Sequence, residues 1–256
     1  FYQCLLLFPK KVKRKISNRI IEGVPAKFIK NYWLMELKAL YKLSKGSNEE
    51  QVLAERNSNF QQAISDNDIM YCDVVIGFDT SSKELISRCK KYNKQFILDV
   101  SIAHSGYKDK VYNAILKQYP HWAFALNIKP DWQIKDEDEE INKADKVVVA
   151  SSFTKSTLVW AGHDVSKIII NPYGVSSTEF KPIESKAIDK LKFVFVGLVD
   201  ARKGIPLLLK VWKQLTVSNA ELYLIGPISK ETIAISQKEV PNVYIKGKIP
   251  FSELKK

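Results

Sequence analysis

Between Val199 and Ile205 the chain reads V-D-A-R-K-G-I. Arg202 and Lys203 stand side by side on a short loop. An apolar run of β type, Phe193–Val199, precedes it, and an apolar helix follows with Pro206 in its first turn, where a missing N–H costs least. Free backbone N–H groups and the positive end of a helix dipole make such a place a seat for an anion. Arg can grip phosphate oxygens in a fork, and Lys acts as a mobile point charge. The chemistry expected here is therefore phosphate binding. The loop is neither G-x-G-x-x-G nor a Walker A loop, and an isolated R-K-G is explained as well by two solvated charges. Its position at the carboxyl end of a strand, where open α/β sheets hold ligands, favours the phosphate reading.

Other candidates occupy equivalent strand-end loops. His104 follows the strand Gln95–Val100; the bland alternative is a part-buried histidine bonded to local backbone. Asp79, Thr80 and Ser81 follow Asp73–Phe78, and one of them is better explained as a helix N-cap than as a substrate contact. Ser152, after Lys146–Ala150, has the same two readings. Gly226, before Pro227, ends a strand and lies beside a ligand or in a plain turn. His121 and His163 read as structural. The three histidines are scattered and give no support for a metal site. Cys4, Cys72 and Cys89 form no C-x-x-C pair, which fits a reducing compartment without disulfides or zinc.

The elements that must position these groups alternate along the chain. Residues 10–65 have helical spacing, with Trp33, Leu34, Leu37, Leu40 and Tyr41 on one period. From Asp73 onward Val/Ile-rich strands alternate with helices, the pattern of a parallel sheet covered on both faces. After a polar stretch at Pro182–Lys190 the pattern restarts. The expected division is an N-terminal α/β domain over 1–182 and the first part of a second α/β domain over 183–256.

The 256 residues are 45% hydrophobic and carry 40 basic and 28 acidic side chains, a net charge of +12. Such a balance attracts polyanions. Lys10–Arg19 is a basic run without an acid, and Asp136–Glu140 (DEDEE) is its acidic counterweight. Both are expected to be solvated faces by default. FYQCLLLF at the start is too short to span a bilayer and lacks a signal-peptide pattern. The first residue is Phe and the last lie in an incipient helix, so the sequence is expected to be a fragment.

Several stretches together resemble glycosyltransferase family 4. ADKVVVASSFTKSTLVWAGHDVSKIIINPYGVSSTEFKP (Ala144–Pro182) is similar to the segment closing that family's N-terminal domain. FVGLVDARKGIPLLLKVW (Phe195–Trp212) resembles the opening of its donor-binding domain, and ELYLIG and NVYIKG follow in order. QFILDVSIAHSG resembles its strand ending in a histidine-bearing loop. The resemblance implies a GT-B architecture of two Rossmann-like domains, the C-terminal one incomplete. It implies a retaining, metal-independent transfer of a sugar from a nucleotide-sugar to a glycan or lipid-linked acceptor in cell-surface polysaccharide synthesis. No cofactor is expected beyond the nucleotide-sugar co-substrate.

Within that frame Arg202 and Lys203 bind the donor diphosphate and stabilise its growing charge, Gly197, Gly204 and Gly226 lie near the donor, and His104 is a catalytic residue facing the cleft near the donor sugar and acceptor. Asp79, Thr80 and Ser152 are acceptor-side candidates. Leu198 stands where many members have Arg, and no E-x7-E segment follows, so this chain alone is expected to be inactive. The resemblance also implies a cytoplasmic enzyme, with the basic run drawn to the inner face of an anionic plasma membrane. Two rival readings are a glycosyltransferase-like scaffold without catalysis and a nucleic-acid binder. The latter lacks a recognition motif and interleaved aromatic and basic residues, so no nucleic-acid partner is expected.

Overall fold

The computed structural model describes residues 24–175, 190–215, 219–250 and 253. The basic run Lys10–Arg19, Cys4 and the expected domain boundary at 182/183 lie outside them. The chain divides into two compact units, Phe1–Ala63 and Ile64–Lys256.

The first unit contains the helices α1 (Trp33–Ser44) and α2 (Glu49–Ala63). Ala39 and Val52 are buried. Arg56 Nη1 meets Glu36 Oε2 at 3.1 Å, and Tyr32 stacks edge-on against Phe60. The Tyr32 hydroxyl donates to the Ala63 carbonyl at 3.2 Å.

The second unit runs α3 (Asp66–Tyr71), β1 (Val74–Phe78), α4 (Lys83–Lys91), β2 (Gln95–Val100), α5 (Ser105–Gln118), a 3-10 turn (Pro120–Ala125), α6 (Asp131–Lys143), β3 (Lys146–Val149), α7 (Ser152–Trp160) and β4 (Ile168–Ile170). It continues with β5 (Leu191–Val196), α8 (Ile205–Leu215), β6 (Ala220–Ile225), α9 (Lys230–Glu239) and β7 (Val243–Gly247). Two parallel sheets form, in the orders β1-β2-β3-β4 and β5-β6-β7. Among the described residues no helix is long and apolar enough to cross a membrane.

Register explains the core. Gly77, Leu98, Val147 and Ile168 pair in line across the first sheet, so their side chains share one face. That face meets Leu85, Ile86 and Cys89 of α4, Ile141 of α6 and Leu158 of α7. Burying each Leu or Ile there contributes about 1.5–3 kcal/mol. Gly77 has no alternative, because a Cβ would lie 2.4 Å from Ser82 Oγ.

The opposite face carries Val74, Ile76, Phe78 and Ile169, all exposed. The expected cover on both faces is therefore corrected for the described residues. Strand order rises monotonically in each sheet, and the right-handed rule for crossovers between successive neighbours assigns the connecting helices of a sheet to one side. A doubly wound sheet needs a reversal of order, and the described strands contain none.

The acidic run is corrected in part: Glu137 and Glu140 turn inward, while Asp136, Asp138 and Glu139 keep a solvated side. On α6, Glu137 and Glu140 are each 2% exposed. Three residues apart, they share a helix face. The amides of Thr80, Ser82 and Lys83 donate to the Glu140 carboxylate at 2.7, 2.7 and 2.8 Å. Glu137 Oε1 accepts from the Ser105 amide at 3.2 Å. Each carboxylate thus caps the N-terminus of a neighbouring helix, where unpaired N–H groups and the dipole attract an anion. Lys83 Nζ holds Asp136 and Glu139 at 2.6 and 2.7 Å.

Removing the Glu140 carboxylate would leave three amides, that of buried Ser82 among them, without their acceptor. Glu140→Ala is expected to lower stability by about 2–4 kcal/mol, and Glu140→Gln, which keeps one oxygen, by less. Urea unfolding followed by circular dichroism measures both.

Candidate functional site

The Asp200–Gly204 loop owes its shape to local bonds. Asp200 Oδ1 accepts from the Lys203 amide at 3.1 Å. The Gly204 amide donates to Ala201 O at 3.0 Å, and the Ile205 amide to Asp200 O at 3.4 Å. Gly204 closes the turn at φ +80°, a left-handed position that suits glycine. The amides of Lys203, Gly204 and Ile205 are therefore engaged, one of them by a carboxylate, and Pro206 has none to offer. That corrects the seat of free amides. The exposed side chains of Arg202 and Lys203 remain to grip an anion.

Tertiary packing fixes where this loop lies. Val199, Ala201 and Ile205 are at most 1% exposed and share a core with Trp122, which comes from the 3-10 turn after α5. The indole is 1% exposed. Tyr112 on α5 is buried, and burial raises its hydroxyl pKa, with Arg202 pulling it down and Asp200 pushing it up. The cationic loop of the second sheet is thus held against α5 of the first.

The two glycines beside it have a mutual explanation. Gly197 donates to Ile225 O at 2.9 Å. Gly226 is buried at φ +143°, and a Cβ there would sit 1.8 Å from Gly197 O. Their close approach joins the ends of β5 and β6.

Along the carboxyl edge of the first sheet the candidates separate. Thr80 is exposed and holds φ +66°, with its amide spent on Glu140. Asp79 is half-buried; burial, followed by the charge of Glu137, raises its carboxyl pKa. The N-cap position of α4 falls to Ser82, whose hydroxyl donates to Phe78 O while Glu140 does the capping. Ser151, not Ser152, caps α7 by accepting from the Thr154 amide at 3.1 Å, which leaves Ser152 exposed as the first residue of the helix.

His104 lies inside, 3% exposed. Its Nδ1 accepts from the Gly106 amide at 3.1 Å, so Nε2 carries the proton and donates to Asp138 Oδ1 at 2.8 Å. His163 Nε2 reaches the same oxygen at 3.0 Å, and its Nδ1 lies 2.9 Å from Asn142 Oδ1. Two of the three histidines expected to be scattered, His104 and His163, thus converge on one carboxylate. His104, Asp138 and His163 set three possible metal-ligand atoms within 4.8 Å. The tautomer that Gly106 imposes on His104 turns an N–H, not a lone pair, toward that centre, so the arrangement fits a hydrogen-bonded group better than a cation.

Beside it lies a denser ionic cluster. Lys108 Nζ stands 3.7 Å from Asp109 Oδ1, and Lys129 Nζ stands 3.7 Å from Glu137 Oε2. Both oxygens are buried without a hydrogen-bond partner, as is Ser105 Oγ. Burial lowers the Lys108 pKa. Asp109, Asp138, Lys108, Lys129, Tyr112 and Trp122 were absent from the sequence-based candidates. The E-x-x-E spacing of Glu137 and Glu140 ahead of Ile141 and Ala144 was the readable signal that this acidic helix has an inward side.

No protein-family model matches the chain, and no curated protein is similar to it. Solved structures do resemble it. TarM aligns at a TM-score of 0.50 with 17% identity, covering 77% of this chain and 36% of its own. The lipopolysaccharide outer core galactosyltransferase WaaB, in its apo form, aligns at 0.45 with 18% identity over 78% of this chain and 50% of its own. Trehalose-6-phosphate synthase aligns at 0.47 with 10% identity over 80% and 53%. The chain therefore spans about a third to a half of the length of the structures it matches. The TarM likeness shows the fold: parallel α/β of the GT-B glycosyltransferase kind, with Rossmann-like sheets.

Burial lowers the His163 pKa before Asp138 partly offsets it, with His104 lowering it and Glu137 raising it further down the order. A histidine depressed on folding contributes stability that is present above its unfolded pKa, about 6.5, and lost as pH falls through the folded value. The melting temperature should therefore fall as the pH drops below about 6.5, and His163→Asn should flatten that decline. Differential scanning fluorimetry across pH measures the difference.

Proposed function

We propose that this chain is the acceptor-side part and the start of the donor-binding part of a retaining glycosyltransferase. The enzyme would move a sugar from a nucleotide-sugar to a glycan or lipid-linked acceptor in the building of a cell-surface polysaccharide, without a metal. One observation carries the reading. Arg202 and Lys203 are exposed at the carboxyl end of β5 on a loop locked from within by Asp200 and from below by Trp122. A fork and a point charge on a rigid turn are suited to a diphosphate.

In this reading the two cations bind the donor diphosphate and stabilise the charge left on it as the glycosidic bond breaks. Such preorganised electrostatic stabilisation is often the largest catalytic contribution. Gly197, Gly204 and Gly226 shape the adjoining backbone. Asp79, Thr80 and Ser152 sit at strand ends on the acceptor side. His104, with both ring nitrogens engaged internally, acts as a positioning residue that holds the Ser101–Gly106 loop. The division into domains at 182/183 and a cytoplasmic setting belong to the same proposal.

A second reading, a glycosyltransferase-like binding or scaffold domain without turnover, is favoured by one fact: the amides of Lys203, Gly204 and Ile205 are already engaged.

Calorimetric titration with a panel of uridine, guanosine and thymidine diphosphate sugars tests the donor site. Arg202→Ala with Lys203→Ala is expected to weaken the best binder by roughly a hundredfold, as for the loss of two charge-assisted contacts. Unchanged affinity in the double variant would refute the assignment. Donor binding without sugar transfer, in a form extended to the length of its structural neighbours, would favour the second reading.

A further inference from the structure

The +12 charge is not spread along the chain. Residues 1–45 hold eleven Lys or Arg and two Glu, so most of the excess lies in the first sixth of the sequence. In the same unit, α1 turns one side inward through Ala39 and Met35. Its other side carries Trp33, Leu34, Leu37, Leu40 and Tyr41. Their exposures run from 42% for Leu37 to 64% for Leu34. At 100° per residue these five form a continuous apolar stripe about 120° wide.

Phe28, in the 3-10 turn ahead of the helix, is also exposed, at 70%. Among the described residues nothing covers this stripe.

Cations edge it. Lys45 Nζ lies over the Tyr41 ring at 5.7 Å, and Lys27 Nζ over the Phe28 ring at 4.9 Å. Lys38 follows along one border and Lys42 lies further round toward α2; both reach a single carboxylate, Glu55. Glu36, the acid of α1 itself, flanks the opposite border and pairs with Arg56 of α2.

We infer that α1 is an interfacial helix that docks this unit onto an anionic lipid bilayer. Leu34, Leu37 and Leu40 would enter the acyl boundary, Trp33 and Tyr41 would sit at headgroup level, and the lysines would meet lipid phosphates. An apolar stripe rimmed by cations and amphipathic aromatics matches that layered surface in both chemistry and order. A nucleic acid would satisfy the lysines but leave the leucines in water. The inference stands on α1 alone, and vesicle binding is read without nucleotide-sugar, so this proposal and the donor-site proposal can fail separately.

The experiment is flotation of the protein with vesicles of phosphatidylcholine alone or with roughly a third phosphatidylglycerol, at low and high salt. Partition onto the anionic vesicles should be roughly tenfold or more stronger, and should weaken with salt. Leu37→Glu with Tyr41→Glu should abolish it, with circular dichroism unchanged because both side chains are exposed. Lys27→Glu with Lys45→Glu should reduce it about tenfold without touching the apolar stripe. Absence of binding to the anionic vesicles overturns the inference, as does retention of it by the Leu37/Tyr41 variant. So does a dimer, seen by light scattering, that the same variant dissolves, since a second copy would then be what covers the face.

Discussion

The second unit depends on two carboxylates that reach sideways out of one helix. Glu137 and Glu140 of α6 meet the N-termini of α5 and α4, so that three helices are joined by charge-assisted hydrogen bonds rather than by apolar contact alone. Burial raises the pKa of Glu140, ahead of the lowering by its three amide donors. The carboxylate therefore sits in a costly place, and the amides are what offset that cost. The loops after β1 and β2, where ligands of such sheets lie, take their positions from these caps. Asp138, on the same helix, holds both histidines, and Asp136 and Glu139 hold Lys83.

The same device appears in smaller form at Asp200. There too an internal carboxylate occupies a turn that could have received an external anion, and the result is a stiff loop whose two cations point outward. What holds that loop is remote in sequence. Trp122 lies under Val199 and Ala201, and Tyr112 senses the charges of Arg202 and Asp200. The cationic turn of one sheet is thereby registered against a helix of the other.

Much of the fold was legible in the chain. Val-rich and Ile-rich runs such as Val147–Val149 are buried on the side that register assigns to them, and the alternation with helices indicates parallel pairing. The monotonic order of strands was not legible. Period and composition report which residues are buried, not which neighbour buries them, so a sheet covered on one side reads much like one covered on two. Nor was the destiny of DEDEE. Charge type predicts solvent exposure on average, and only the placement of α6 beside two helix N-termini reverses it. At the candidate site, Arg202 and Lys203 announced themselves by type and position. Trp122, Tyr112 and the His104–Asp138–His163 group could not, because their partners are 25 or more residues away.

The sequence by itself determined the element types, the parallel α/β class and the cationic turn before α8, because apolar period, turn chemistry and charge are local properties. Tertiary structure decided which amides the turn keeps for itself, where His104 points and what the acidic helix does. Those outcomes depend on distance between segments, and a hydrogen bond near 2.8 Å is set by how helices pack, which no local run of residues encodes.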